Sequence, residues 1–224
     1  MTSLVTLAIA SIAFVATHFI LSHPLRAPIV VAVGEKGFMG VYSLVALATF
    51  VWMVIAFRAA PAPDLGGSGD VGWAVASVLT VIALVLFLGS FRGNPAMPAP
   101  DAKDAAGKDP RGAFLVTRHP MMWGFALWAI AHLVLFWSLR TTIVALAILT
   151  LALVGAKLQD GKKERLMGAA WTGWEAKTTY WPRWSRLFSV GWGLWLGAIV
   201  IWLLATYGHI HAAGAPAGIW MWVG

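Results

Sequence analysis

Two histidines lie inside apolar stretches of this 224-residue chain, where an ionisable side chain is energetically costly. His18 belongs to the first such stretch and His132 to the fourth. Neither stretch contains a carboxylate, which argues against a proton pump or a hard-cation site. A neutral imidazole hydrogen-bonded to a neighbouring helix would explain either residue alone. The pair fits a metal of intermediate softness, above all haem iron, so we expect His132 and His18 to be the metal-binding and catalytic residues.

An Arg-His-Pro motif at residues 118–120 opens the fourth apolar stretch. Proline is favoured in the first turn of a helix, and the N–H groups of that turn attract anions. Arg118 and His119 are therefore candidates to bind a carboxylate or phosphate of a cofactor, a haem propionate or a lipid. Anchoring of the span by positive charge explains Arg118 equally well, but it does not explain His119.

The remaining histidines have simpler interpretations. His23 precedes Pro24 and fits the interfacial end of a helix. His209 and His211 follow the last apolar stretch and are expected in a tail outside the membrane.

The composition predicts that these residues are positioned by membrane-spanning helices. Hydrophobic residues make up 60% of the chain and charged residues 11%, against about 25% charged in soluble domains. The sequence predicts an all-α, polytopic bundle of about six transmembrane helices, forming a single domain over residues 1–224. The spans are expected at Leu4–Leu21, Phe38–Phe57, Val71–Phe91, Met121–Trp137, Thr142–Ala156 and Val190–Tyr207, and none contains Asp or Glu.

The excess of basic residues, which gives a net charge of +7, indicates how the chain is oriented in the membrane. All but two of the 16 Lys and Arg residues fall in loops on one side, at residues 23–37, 92–120 and 157–189. The positive-inside rule places these loops in the cytoplasm and both termini on the opposite side of the membrane. The lipid bilayer is thus the expected partner, and nucleic acid is not. The absence of cysteine excludes disulfides and thiolate ligands.

Two of these loops differ in composition, and each composition predicts a different structure. Gly93–Gly112 is rich in Pro, Ala, Gly and Asp and is predicted to be a flexible loop. Lys157–Phe188 alternates basic residues with four tryptophans, which favours a segment lying against the anionic leaflet.

The chain resembles the NnrU family of bacterial membrane proteins. The matching residues are the Arg-His-Pro motif, Gly124, Leu127-Trp128-Ala129 and Ala131-His132-Leu133, with His18, Leu21-Ser22, Gly34-Glu35 and Tyr42-Ser43. The resemblance implies a role in denitrification or nitric oxide metabolism. Because 15-cis-zeta-carotene isomerase is similar to this family, it also implies haem b, held by His132 and secondly His18, with His119 nearby. An apolar polyene undergoing redox-gated cis–trans isomerisation, or nitric oxide, would then be the small-molecule partner.

The Arg-His-Pro motif also resembles membrane methyltransferases of the isoprenylcysteine carboxyl methyltransferase type. The further matches are Glu164-Arg165-Leu166, Trp174 and Trp181-Pro182-Arg183, while Asp160 and Glu164 stand in place of an adjacent acidic pair. This resemblance implies an S-adenosylmethionine site at Arg118, His119 and Glu164. A non-enzymatic haem sensor or assembly partner of a respiratory complex is a third alternative.

Overall fold

A computed structural model describes residues 2–61, 67–97, 101–214 and 216–223. Over these residues the chain is helical and contains no β-strand, so the prediction of an all-α membrane bundle is confirmed. The α-helices are α1 (Ser3–Ser22), α2 (Arg26–Ala59), α3 (Gly69–Gly89), α4 (Ala102–Gly107), α5 (Pro120–Leu135), α6 (Leu139–Met167), α7 (Ala169–Lys177), α8 (Trp192–Ala213) and α9 (Trp220–Val223). Short 3₁₀ turns cover Gly112–Leu115 and Trp184–Val190.

Five helices, α1, α2, α3, α6 and α8, are long and apolar enough to cross a membrane. The sixth apolar helix, α5, has 16 residues and is thus about 24 Å long. Three helices extend beyond the predicted spans. The α2 helix begins at Arg26 and is kinked at Gly34, whose φ of 73° favours glycine, while α6 continues to Met167 and α8 to Ala213.

The chain divides into two compact units, of which the first comprises Met1–Gly67 and Phe136–Leu151. Its core lies between α1 and α2. Leu7, Ala10 and Phe14 follow the three- and four-residue spacing of one helix face and pack with Met53, Ala56 and Ala60. His18 lies one turn beyond Phe14 on the same face of α1.

The second unit comprises Ser68–Leu135 and Ala152–Gly224 and is organised around α3. A Cβ atom added at Gly124 of α5 would lie 2.8 Å from the carbonyl oxygen of Ala83, so glycine permits the close approach of these helices. At the other end of α3, Ser68 donates to the carbonyl oxygen of Val134 at 2.6 Å. The two contacts show that α3 and α5 are antiparallel. On α8, Trp202 donates to the Thr80 hydroxyl of α3 at 2.8 Å.

The prediction of a flexible loop at Gly93–Gly112 is wrong for residues 102–107, and residues 98–100 lie outside the described part of the chain. Residues 102–107 form α4, and its three alanines, Ala102, Ala105 and Ala106, are buried. Ala106 packs in a core with Phe114, Trp171 and Trp174. Two of the four tryptophans expected against the leaflet are therefore core residues, whereas Trp181 and Trp184 are exposed.

Candidate functional site

The Arg-His-Pro motif is held in place by the segment that follows α7. The backbone N–H of Arg118 donates to the carbonyl oxygen of Thr179 at 2.9 Å. The Thr117 hydroxyl lies 2.8 Å from the carbonyl oxygen of Tyr180, which also accepts from Trp123 Nε1 at 2.9 Å. Pro120 begins α5, as its position in the motif predicts. These backbone contacts orient the two preceding side chains towards α6.

Arg118 and His119 converge on the carboxylate of Asp160. Arg118 donates from Nε to Oδ1 at 3.0 Å and from Nη2 to Oδ2 at 2.7 Å, which is the bidentate geometry of a strong ion pair. His119 Nε2 lies 2.7 Å from the same Oδ1 atom. All three residues are buried, with Asp160 2% and His119 3% exposed. The anion that this motif binds in the structure is therefore internal.

Two glutamates extend this ionic cluster. Arg118 Nη2 also lies 3.2 Å from a carboxylate oxygen of Glu175 on α7. Burial raises the pKa of Glu175, and a hydrogen bond with Glu164 and the negative charge of Asp160 raise it further, while Arg118 acts in the opposite direction. Two carboxyl groups that share a hydrogen bond need one proton between them, so Glu175 holds a proton more readily than an isolated glutamate.

The second ring nitrogen of His119, Nδ1, takes no part in these contacts. Because Asp160 accepts from Nε2, Nδ1 of the neutral ring carries a lone pair. Nδ1 is buried and has no hydrogen-bond partner among the described residues. The rings of Tyr180 and Trp171 stand 5.8 and 6.4 Å from the imidazole. The side chain of His119 is thus too enclosed for a bulky substrate.

The two intramembrane histidines share a local geometry although they belong to different units. His18 Nδ1 donates to the carbonyl oxygen of Phe14 at 2.6 Å, and His132 Nδ1 donates to that of Trp128 at 2.8 Å. In each case the acceptor is four residues earlier in the same helix. A carbonyl oxygen only accepts, so the proton is on Nδ1 and the lone pair of the neutral ring is on Nε2.

Aromatic rings surround both imidazoles. The His18 ring lies 4.4 Å from Phe14 and 5.5 Å from Tyr42, and the His132 ring lies 4.0 Å from Trp128. Both side chains are half-buried within their own units.

The expected place of His209 is wrong. Because α8 continues to Ala213, His209 lies within a helix and not in an irregular tail. It is close enough to His132 for the charges of the two rings to interact. The same correction applies to His211, whose ring lies 5.5 Å from Tyr207.

Comparison with known proteins decides the family. The family model for NnrU proteins matches residues 6–217, nearly the whole chain. The chain belongs to the NnrU family. No curated protein and no solved structure matches it.

This NnrU protein offers no cluster for a bare metal ion in the part of the chain that the structure describes. Groups of three or more His, Asp or Glu side chains with suitable geometry do not occur there. Haem differs, because the porphyrin supplies four ligands and the protein needs to add one or two. The orientation of His18 and His132, with Nε2 carrying the lone pair, fits an axial ligand, and a carbonyl bonded to Nδ1 is the usual support for such a ligand.

Sequence reasoning identified the basic half of the ionic cluster but only part of its acidic half. Asp160 was noted only through the methyltransferase resemblance, and Glu175 was not singled out. The available signal was the spacing of Asp160 and Glu164, which places both on one face of a helix if α6 continues past the apolar stretch. Glu175 carried no signal of its own in the sequence.

Proposed function

We propose that this NnrU protein binds haem b within the membrane, and that His132 and secondly His18 are the residues that would hold its iron. The observation that carries the proposal is the Nδ1–carbonyl hydrogen bond that each imidazole makes within its own helix. It fixes the tautomer in which Nε2 can donate to iron. The spans contain no thiolate, because the chain has no cysteine.

Haem, when bound, would supply an iron centre that takes up a small ligand such as nitric oxide or changes oxidation state. The protein's own part is to orient the two imidazoles and to surround them with apolar and aromatic side chains. Family membership suggests a membrane protein related to nitric oxide and denitrification. Within that setting we propose nitric oxide or an apolar polyene as the partner, the latter undergoing redox-gated cis–trans isomerisation. A haem sensor or assembly partner without turnover would use the same ligands.

We further propose a bacterial inner-membrane location with both termini in the periplasm. The support is the distribution of Lys and Arg between loops, which the positive-inside rule interprets. Met1 and Gly224 themselves lie outside the described residues. Fusing a reporter that fluoresces only in the cytoplasm to either terminus should give a dark cell, and a bright one would contradict this orientation.

The methyltransferase alternative has weaker support. Arg118 would have to bind the cofactor, yet its guanidinium already contacts Asp160 and Glu175. Calorimetry with S-adenosylmethionine distinguishes the two functions, because the haem proposal predicts no heat of binding.

The deciding experiment is an absorption spectrum of the full chain, purified after expression with ample haem, in oxidised and reduced form. We expect a Soret band, reduced-state bands typical of b-type haem and about one iron per chain. His132→Ala should remove the Soret band, and added imidazole should restore it in part. The matched control is His23→Ala, which removes a histidine at the end of α1 and should leave the spectrum unchanged.

The second ligand is tested separately. His18→Ala should convert a six-coordinate spectrum to a five-coordinate one with the haem retained. If His209→Ala gives this change and His18→Ala does not, the second assignment is wrong. A wild-type protein without haem, or a His132→Ala protein with a normal spectrum, would refute the proposal itself.

A further inference from the structure

A cavity of about 730 Å³ opens at the surface of the second unit, beside α4, and neither Arg118, His119 nor Asp160 is among its described lining residues. Its size is within the range typical of small-molecule sites, about 300–1,000 Å³. The residues that matter for its chemistry are three cations, one carboxylate and two aromatic rings: Arg92, Lys108, Arg111, Asp101, Phe114 and Trp174.

The cations in this cavity are not neutralised by the protein. Arg92, Lys108 and Arg111 are exposed, and no carboxylate within the described ranges forms an ion pair with any of them. Asp109 also lines the cavity, but it is paired with Lys177 at 3.1 Å. Asp101 is thus the one lining carboxylate without a described ion pair, and three cations face it. The excess positive charge favours an anionic ligand.

An aromatic wall stands next to the cations. The rings of Phe114 and Trp174 meet edge to face with centroids 5.6 Å apart. Trp174 is 2% exposed, and its Nε1 has no hydrogen-bond partner among the residues described. The two rings offer an apolar surface beside the three cations, so the cavity fits an anion that carries an apolar or aromatic group.

We propose that this cavity binds a phosphate group, either that of a soluble phosphate monoester or that of an anionic lipid headgroup. Arg92 and Arg111 bind the phosphate oxygens, since a guanidinium matches them in a bidentate manner. Lys108 adds a further charge. The apolar part of the ligand lies against Phe114. This site does not depend on haem binding, and neither proposal fails with the other.

The test uses the full-length protein and two probes that separate the two sources of phosphate. Phenyl phosphate is titrated into protein in neutral maltoside micelles and followed by calorimetry. In parallel, the protein is incorporated into nanodiscs of phosphatidylcholine with or without phosphatidylglycerol, and the phosphatidylglycerol retained after release is counted by native mass spectrometry. Binding of the first probe identifies a soluble ligand, and selective retention of the second identifies a lipid.

The double variant Arg92→Ala/Arg111→Ala should weaken binding of the active probe about tenfold or more. The matched control is Lys103→Ala/Arg186→Ala, which removes the same charge from exposed positions that do not line the cavity. It should change the affinity by no more than about twofold.

Two outcomes would overturn the proposal. One is that wild-type protein binds neither phenyl phosphate nor phosphatidylglycerol. The other is that the cavity variant and the control variant weaken binding equally, which would show a general effect of net charge. Circular dichroism of each variant establishes that a loss of binding does not come from unfolding.

Discussion

Replacing Asp160 by asparagine should strongly destabilise the protein, because this carboxylate is the closer and more deeply buried of the two that contact Arg118 and also accepts from His119. It receives three close contacts, at 3.0, 2.7 and 2.7 Å. Asparagine keeps one oxygen acceptor, but it turns an N–H₂ group towards a guanidinium that also only donates. Removing one partner of a buried ion pair typically costs about 3–5 kcal/mol. We expect a loss of that size, a large share of the roughly 5–15 kcal/mol that holds a typical domain folded.

The measurement is the free energy of unfolding in mixed micelles, titrated with SDS and followed by circular dichroism. The matched control is Asp109→Asn, whose ion pair with Lys177 is largely exposed and should contribute less than about 1 kcal/mol. If both variants lose the same small amount, the reasoning about burial is refuted.

A double variant keeps the prediction testable should Asp160→Asn fail to fold. In Arg118→Met/Asp160→Leu both charges of this ion pair are absent, and Glu175, the other contact of Arg118, is partly exposed to solvent. The double variant should lose at least about 2 kcal/mol less than the sum of the single variants. Strict additivity would show that the pair does not interact.

Two further predictions concern pH and helix packing. Because the fold raises the pKa of Glu175, protonated Glu175 is favoured in the folded state; its contribution is complete below the ordinary glutamate pKa and is lost as pH rises through the raised value. Glu175→Gln should therefore reduce the fall in unfolding free energy as the pH rises above the ordinary glutamate pKa, and an unchanged pH profile would contradict this assignment. Gly124→Ala should destabilise by about 1–3 kcal/mol, because its Cβ would meet the backbone oxygen of Ala83 at 2.8 Å. Gly197→Ala on α8, with no atom within 4 Å of the added Cβ, is the control and should lose nothing.

The sequence predicted the helices best where a local rule decides the structure. Pro120 predicted the start of α5 because proline is compatible with the first turn alone. The end of α6 was missed because hydropathy falls after Ala156, whereas the helix continues to Met167. Tertiary contacts hold this polar part, among them Lys163 Nζ donating to the carbonyl oxygen of Pro95 at 3.0 Å. Hydropathy carries no information about such contacts.

The candidate sites likewise divide into residues that a local sequence rule can identify and residues that depend on tertiary contacts. Histidines that interrupt apolar stretches can be recognised in the sequence, so His18 and His132 could be selected without a structure. Their role as haem ligands stays a prediction. The partner of Arg118 could not be selected, because Asp160 lies 42 residues away and pairing over that distance depends on the path of the chain. The cavity beside α4 was hidden for a related reason, since its segment was taken for an irregular loop.

The distance in sequence between Arg118 and Asp160 also has a consequence for biogenesis. Arg118 leaves the ribosome 42 residues ahead of Asp160, which at about 5–20 residues per second is about 2–8 s. During that interval its charge is unpaired and contributes in full to the signal that orients the nascent helices. Only after α6 has been made can the carboxylate neutralise it. The same arginine thus acts first as a topological signal and afterwards as a member of a nearly neutral interior cluster.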